Sequence, residues 1–104
     1  MDPIIQKIIH GFKHFRKAYF SDSTDLYARL KHGQMPGTLM IACCDSRVDP
    51  AHVTRSAPGE LFVLRNVANL VPPYHPDSAF HGVSSAIEYA VRHLEVKHII
   101  VMGH

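Results

Sequence analysis

Tryptophan is missing from this chain of 104 residues, and cysteine occurs only twice, as the neighbours Cys43 and Cys44. No apolar run approaches the ~20 residues that a membrane-spanning helix needs. No secretory or transit signal is visible at the start, so a cytoplasmic protein is the expectation. Charge of one sign is also scarce: eleven Lys and Arg, scattered from Lys7 to Lys97, face nine Asp and Glu and leave a net +2. A chain without a basic block gives no reason to expect a nucleic-acid or membrane partner. Two adjacent cysteines in such a compartment argue against a structural disulfide and leave a metal, a reactive thiol or core filling. No glycine-rich phosphate loop follows any predicted strand, which removes the main signature of a nucleotide cofactor. Repeats and low-complexity segments are absent.

What is present is 46% apolar residues, enough for a single domain over 1–104 that hides roughly 60–65% of the surface its unfolded chain would expose. The opening DPIIQKIIHGFKHFRKAYF carries Asp2 as N-cap, Pro3 at the first helical position, and Ile5, Ile8, Ile9, Phe12, Phe15 and Tyr19 at spacings of three and four. It is an amphipathic helix whose apolar face can pack on a partner subunit as readily as on its own core. SDSTDLYARLKHG predicts a shorter helix stopped by Gly33. Thr38 to Cys43 (TLMIAC) predicts a strand buried on both faces, Pro50 to Arg55 a short helix broken by Pro58-Gly59, and Glu60 to Val67 a second strand. A proline-containing loop over Asn69 to Ser78 follows. Asp77 and Ser78 then offer caps for a helix with Val83, Ala86, Ile87, Ala90, Val91 and Leu94 in one stripe, and Lys97 to Met102 predicts a third strand of the buried type. The expected fold class is α/β, with helices flanking a parallel β-sheet core.

Ligands of such sheets sit outside the carboxyl ends of the strands. Cys43, Cys44 and Asp45 fall at that end of the first predicted strand and His104 at that end of the third. A thiolate and an imidazole meeting on one rim suit zinc; the ordinary alternatives are a cysteine filling core and a surface histidine. Alternation of side chains lets only one of the two sulfurs face a given site and does not say which. Asp45 and Arg47, two apart, can form a bidentate pair, or an ordinary surface ion pair.

The string Cys43-Cys44-Asp45-Ser46-Arg47-Val48, then PGELFVLRNVANLVPPY (Pro58 to Tyr74), then SSAIEYAVRHLEVKHIIVMGH (Ser84 to His104), resembles the β-class carbonic anhydrases, most nearly their plant-like subclass. The short Cys-x-Asp-x-Arg pattern is weak alone; three blocks in the family's order are specific. The resemblance implies a Zn2+ enzyme for the reversible hydration of CO2 to bicarbonate, with Cys43 and His104 as metal ligands. It implies a third ligand, a cysteine three residues past that histidine, whereas the sequence stops at His104 and matches the N-terminal half of a catalytic domain. Asp45 would accept the proton of the zinc-bound hydroxide and Arg47 would orient Asp45; in some members the Asp instead swings onto the metal. Gln34 matches a substrate-orienting glutamine, and Phe62, Val67 and Tyr89 match the lining of a narrow apolar cleft, part of which comes from a neighbouring subunit. Gln34 and the missing tryptophan favour the plant-like subclass over the bicarbonate-inhibited one.

Two rivals keep the same residues: a CS2 or COS hydrolase on this fold, and a non-catalytic fragment that completes a partner. A redox sensor built on Cys43 and Cys44 would close a strained ring and leave Arg47 without a role. The resemblance also implies a homo-oligomer, a dimer or a multiple of dimers, with the first helix reaching across the neighbour. Replacing Ile8 and Phe12 by Glu in the complete protein is expected to weaken that dimer, measured by sedimentation equilibrium; unchanged affinity would remove the helix from the interface.

Overall fold

The computed structural model describes residues 1–20, 26–74 and 81–103. Two compact units are present, Met1–Gln34 and Met35–His104.

In the first unit, α1 (Pro3–Tyr19) begins as the sequence predicts. The Asp2 carboxylate accepts the N–H groups of Ile4 and Ile5, and Pro3 opens the helix with a φ already suited to it. The apolar stripe divides in two. Phe15 and Tyr19 turn to α2 (Leu26–Leu30), where Tyr27 lies 5.6 Å and 5.7 Å from their ring centres and stacks on Phe20 at 4.9 Å. Ile4, Ile8 and Phe12 remain well over half exposed. Gly33, at φ 144°, adopts a backbone that side chains resist, and its N–H reaches the Leu30 carbonyl to close α2. The polar start predicted for α2 lies outside the described residues.

The second unit is a three-stranded parallel sheet, β1 (Thr38–Cys43), β2 (Leu61–Asn66) and β3 (His98–Val101), in the order β2-β1-β3. Leu39 pairs with both Phe62 and Ile99, and Cys43 pairs with Asn66. The predicted α/β class is therefore observed, with β1 in the middle and buried on both faces from Leu39 to Ala42. Leu39, Ile41 and Ala90 form the fully enclosed core, against which Phe62, Leu64, Ile87 and Val96 pack. Ile87 lies on α4 (Gly82–Glu88), and Ala90 on the π-helical turn Tyr89–His93 that continues it. Helix α3 (Pro50–Thr54) links β1 to β2.

Several boundaries differ from expectation. β2 stops at Asn66, because Val67–Asn69 is a tight turn in which Ala68 and Asn69 take φ of 67° and 48°. Helix α3 keeps its expected extent, with Arg55 as C-cap in the left-handed region. The expected caps Asp77 and Ser78 lie outside the described residues, and α4 begins at Gly82 after His81. Most consequential, β3 is not buried: all four of its residues are exposed, Ile99 by 50% and Val101 by 51%. The apolar content of this strand predicts that it seeks cover. Both outer strands pair on one side only, but β2 is mostly half-buried whereas the side chains of β3 are exposed among the described residues. Among the described residues no helix is long and apolar enough to cross a membrane.

Leu39 has no exposed surface, so Leu39→Ala is expected to cost about 2–5 kcal/mol of stability, read as a lower urea midpoint at unchanged slope.

Candidate active site

Cys43 is the last residue of β1, and the chain must leave the sheet immediately after it. Cys44 extends the ladder by one bond, donating its N–H to the Asn66 carbonyl, while its side chain points to solvent. Of the two sulfurs, that of Cys43 is the one engaged by the backbone of the rim. Its Sγ accepts two backbone N–H groups, from Asp45 at 3.4 Å and from Ala68 at 3.3 Å. These two donors, the Asp45 amide first and the Ala68 amide second, hold the thiol below its ordinary pKa; burial and the Asp45 charge act in the opposite direction with less effect.

Asp45 and Arg47 form the bidentate pair. The Arg47 guanidinium donates through Nε to Oδ1 at 3.0 Å and through its terminal nitrogen to Oδ2 at 2.7 Å, and the Arg47 backbone N–H adds a third bond to Oδ1 at 2.8 Å. Asp45 is mostly covered, at 19% side-chain exposure, whereas Arg47 stands 80% exposed over it. The carboxylate makes Arg47 hold its proton more tightly than usual. The ion pair is thus formed, with Asp45 turned to Arg47.

Other side chains give this rim its shape, and sequence reasoning passed over them. Arg65 of β2 donates to the carbonyls of Cys43 at 2.9 Å and Asp45 at 2.8 Å, and its remaining nitrogen lies 3.8 Å from Asp49, the N-cap of α3. An arginine inside an otherwise apolar strand was the available signal, since a part-buried charge needs partners. Asn66 closes its own turn, accepting the Leu70 N–H and donating to the Leu70 carbonyl. Asn69 donates to the carbonyl of Met102, just after β3.

The remaining predicted residues do not gather at one point. Val67 begins the turn next to Cys43 and is 77% exposed. Phe62 and Tyr89 meet each other, with ring centres 5.7 Å apart. Phe62 pairs with Leu39, four residues before Cys43 on β1, which puts it roughly 13 Å along the strand from the cysteine. Gln34 is exposed and belongs to the first unit. His104 lies outside the described residues. Among the described residues no three His, Cys, Asp or Glu side chains form a metal-binding group. Cys43 fits one zinc position, because a thiolate is the form that binds the metal.

Polar groups clustered on the carboxyl rim of a parallel sheet mark an α/β protein, a class in which ligands sit outside the strand ends. The comparisons narrow that class. The carbonic anhydrase family model matches residues 38–104. A carbonic anhydrase from Synechocystis sp. is 49% identical over 100 residues, covering 96% of this chain and 36% of its own length. The solved β-carbonic anhydrase CcaA superimposes with a TM-score of 0.84 at 48% identity, over 96% of this chain and 48% of that one. One of two tetrameric β-carbonic anhydrases from Sordaria macrospora gives a TM-score of 0.68 at 35% identity, over 95% of this chain and 45% of that one. The chain belongs to the carbonic anhydrase family, in its β class. It spans about a third of the Synechocystis relative and about half of the CcaA chain.

In metal-free protein carrying Cys44→Ser, ultraviolet thiolate absorbance should titrate with a midpoint below that of an ordinary thiol. The lowered value also stabilises the fold at pH above the unfolded thiol's pKa, and this contribution disappears as pH falls through the folded one. A midpoint at or above the ordinary value would mean that the two amides do not engage the sulfur.

Proposed function

We propose that the protein containing this chain catalyses the reversible reaction of CO2 with water to give bicarbonate and a proton, with zinc held by Cys43 and His104. The observation that carries the reading is the Asp45–Arg47 pair set two residues beyond a cysteine whose sulfur already receives two amide hydrogens. Family membership supports the same reaction. When bound, zinc supplies the Lewis acidity that lets a water molecule ionise near neutral pH.

The protein's own groups do the rest. Asp45 is an ionised acceptor of fixed direction: three bonds from Arg47 leave its carboxylate little freedom to rotate. An acceptor so fixed would receive a hydrogen bond from the O–H of a water or hydroxide and so aim a lone pair of that oxygen at the carbon of CO2. Arg47 holds that carboxylate without meeting the substrate. An uncharged linear substrate suits apolar walls, for which Phe62, Val67 and Tyr89 are the proposed residues. Phe62 and Tyr89 lie away from Cys43 within one chain, which favours a cleft shared between two copies. The Sordaria relative is tetrameric, and a homo-oligomer is proposed here too, with the plant-like arrangement in which Gln34 orients the substrate oxygen.

In the full-length protein, Asp45→Asn is expected to lower kcat/KM for CO2 hydration by roughly 10²–10⁴-fold, and Arg47→Ala by roughly 10–100-fold, in stopped-flow assays. Wild-type activity in both variants would overturn the assignment. Turnover of COS or CS2 in preference to CO2 would overturn the substrate.

A further inference from the structure

Asp45 is held by two sets of bonds that do different things. Within its own turn, the carboxylate receives three bonds from Arg47 and the carbonyl accepts the Val48 N–H at 3.2 Å. These partners are near neighbours in sequence, so they give the turn its shape but not its place on the rim. Such a turn can still swing as a unit about Cys44, whose N–H makes the last ladder bond, to the Asn66 carbonyl. Arg65 supplies the reference point. Its register partner is Ala42, in the buried part of β1, so the base of the side chain is anchored in the sheet. From there its Nε donates to the carbonyl of Cys43 at 2.9 Å and a terminal nitrogen to the carbonyl of Asp45 at 2.8 Å. Both nitrogens belong to one planar group, and the relative placement of the two carbonyls is therefore tied to covalent geometry. The other terminal nitrogen lies 3.8 Å from Asp49, so the same charge also faces the N-cap of α3. The Arg65 side chain is only 27% exposed, which limits the competition of water for these bonds.

We infer that Arg65 is a positioning residue for Asp45. It fixes the turn that carries the carboxylate relative to Cys43, and with it the direction in which that carboxylate is presented beside the sulfur. The inference rests on the proposed catalytic role of Asp45. The bonds from Arg65 to this loop go to main-chain oxygens, so it acts through the placement of Asp45 and not on the reacting atoms. Cys43 has support of its own, since it pairs with Asn66 in the ladder between β1 and β2. Loss of the Arg65 fork therefore disturbs the carboxylate more than the sulfur, and turnover more than metal binding.

Arg65→Lys keeps a charge beside Asp49 but replaces the planar fork by a single ammonium, which cannot hold two carbonyls at a set angle. Arg65→Met removes charge and donors together. Both are made in the full-length protein. Hydrogen exchange by mass spectrometry is expected to show the segment from Cys44 to Val48 exchanging roughly tenfold faster in Arg65→Lys, with Leu39 to Ala42 at the wild-type rate. In stopped-flow assays kcat for CO2 hydration is expected to fall roughly 10–100-fold, with KM and zinc content unchanged, and Arg65→Met to lose at least as much. A double-mutant cycle gives a readout that a merely structural role leaves unmoved. In an Asp45→Asn background, Arg65→Lys is expected to lower kcat/KM by no more than about twofold further, because the group it positions is already disabled. Wild-type turnover in Arg65→Lys, unchanged exchange of the loop, or a loss as large in the Asp45→Asn background as in wild type would overturn the inference. Failure of both Arg65 variants to fold would overturn it too, since the residue would then serve the fold at large. Full activity of the Asp45→Asn single variant would instead overturn the catalytic role on which the inference rests.

Discussion

Arg65 bonds the carbonyls of Cys43 and Asp45 at once. A strand that ends beneath a loop leaves carbonyl groups with no ladder partner, and each must find a donor or stay hydrated. The guanidinium fork, rigid and rich in donors, satisfies two of them from the neighbouring strand. The direction of the chain between Cys43 and Asp45 is thereby set. With the chain so turned, the Asp45 amide points back to the sulfur, and the carboxylate of the same residue is left to Arg47. Remove the clamp and both functional contacts lose their common support.

The charges on this rim are balanced by different means. The sulfur is stabilised by backbone dipoles, and the carboxylate by a full positive charge. Asp45 raises the cost of ionising Cys43, and its pairing with Arg47 tempers that repulsion. This balance is compatible with the metal site and the uncharged substrate proposed above.

Much of this was legible in the residues. TLMIAC reads as a buried strand because a middle strand is apolar on both faces, and the Asp2 cap and the Asp45–Arg47 pair are short-range features that spacing alone constrains. The same logic failed for HIIV. Its composition resembles that of β1, but composition reports an affinity for cover, and only topology says whether cover is there. Arg65, Asn66 and Asn69 escaped notice because their partners lie on other strands or across a turn in a left-handed backbone, where no periodicity leads. The proposed cleft role of Phe62 and Tyr89 comes from resemblance, and the separation of Phe62 from Cys43 emerges only with the strand register.

β3 also bears on how the polypeptide behaves in a tube. An apolar edge strand presents a ladder of backbone donors and acceptors along its unpaired side, a template on which other chains can add. Lys97, immediately before the strand, is the one charged gatekeeper adjoining it. With β2 as the other outer strand, the sheet has two such borders along which backbone pairing can continue.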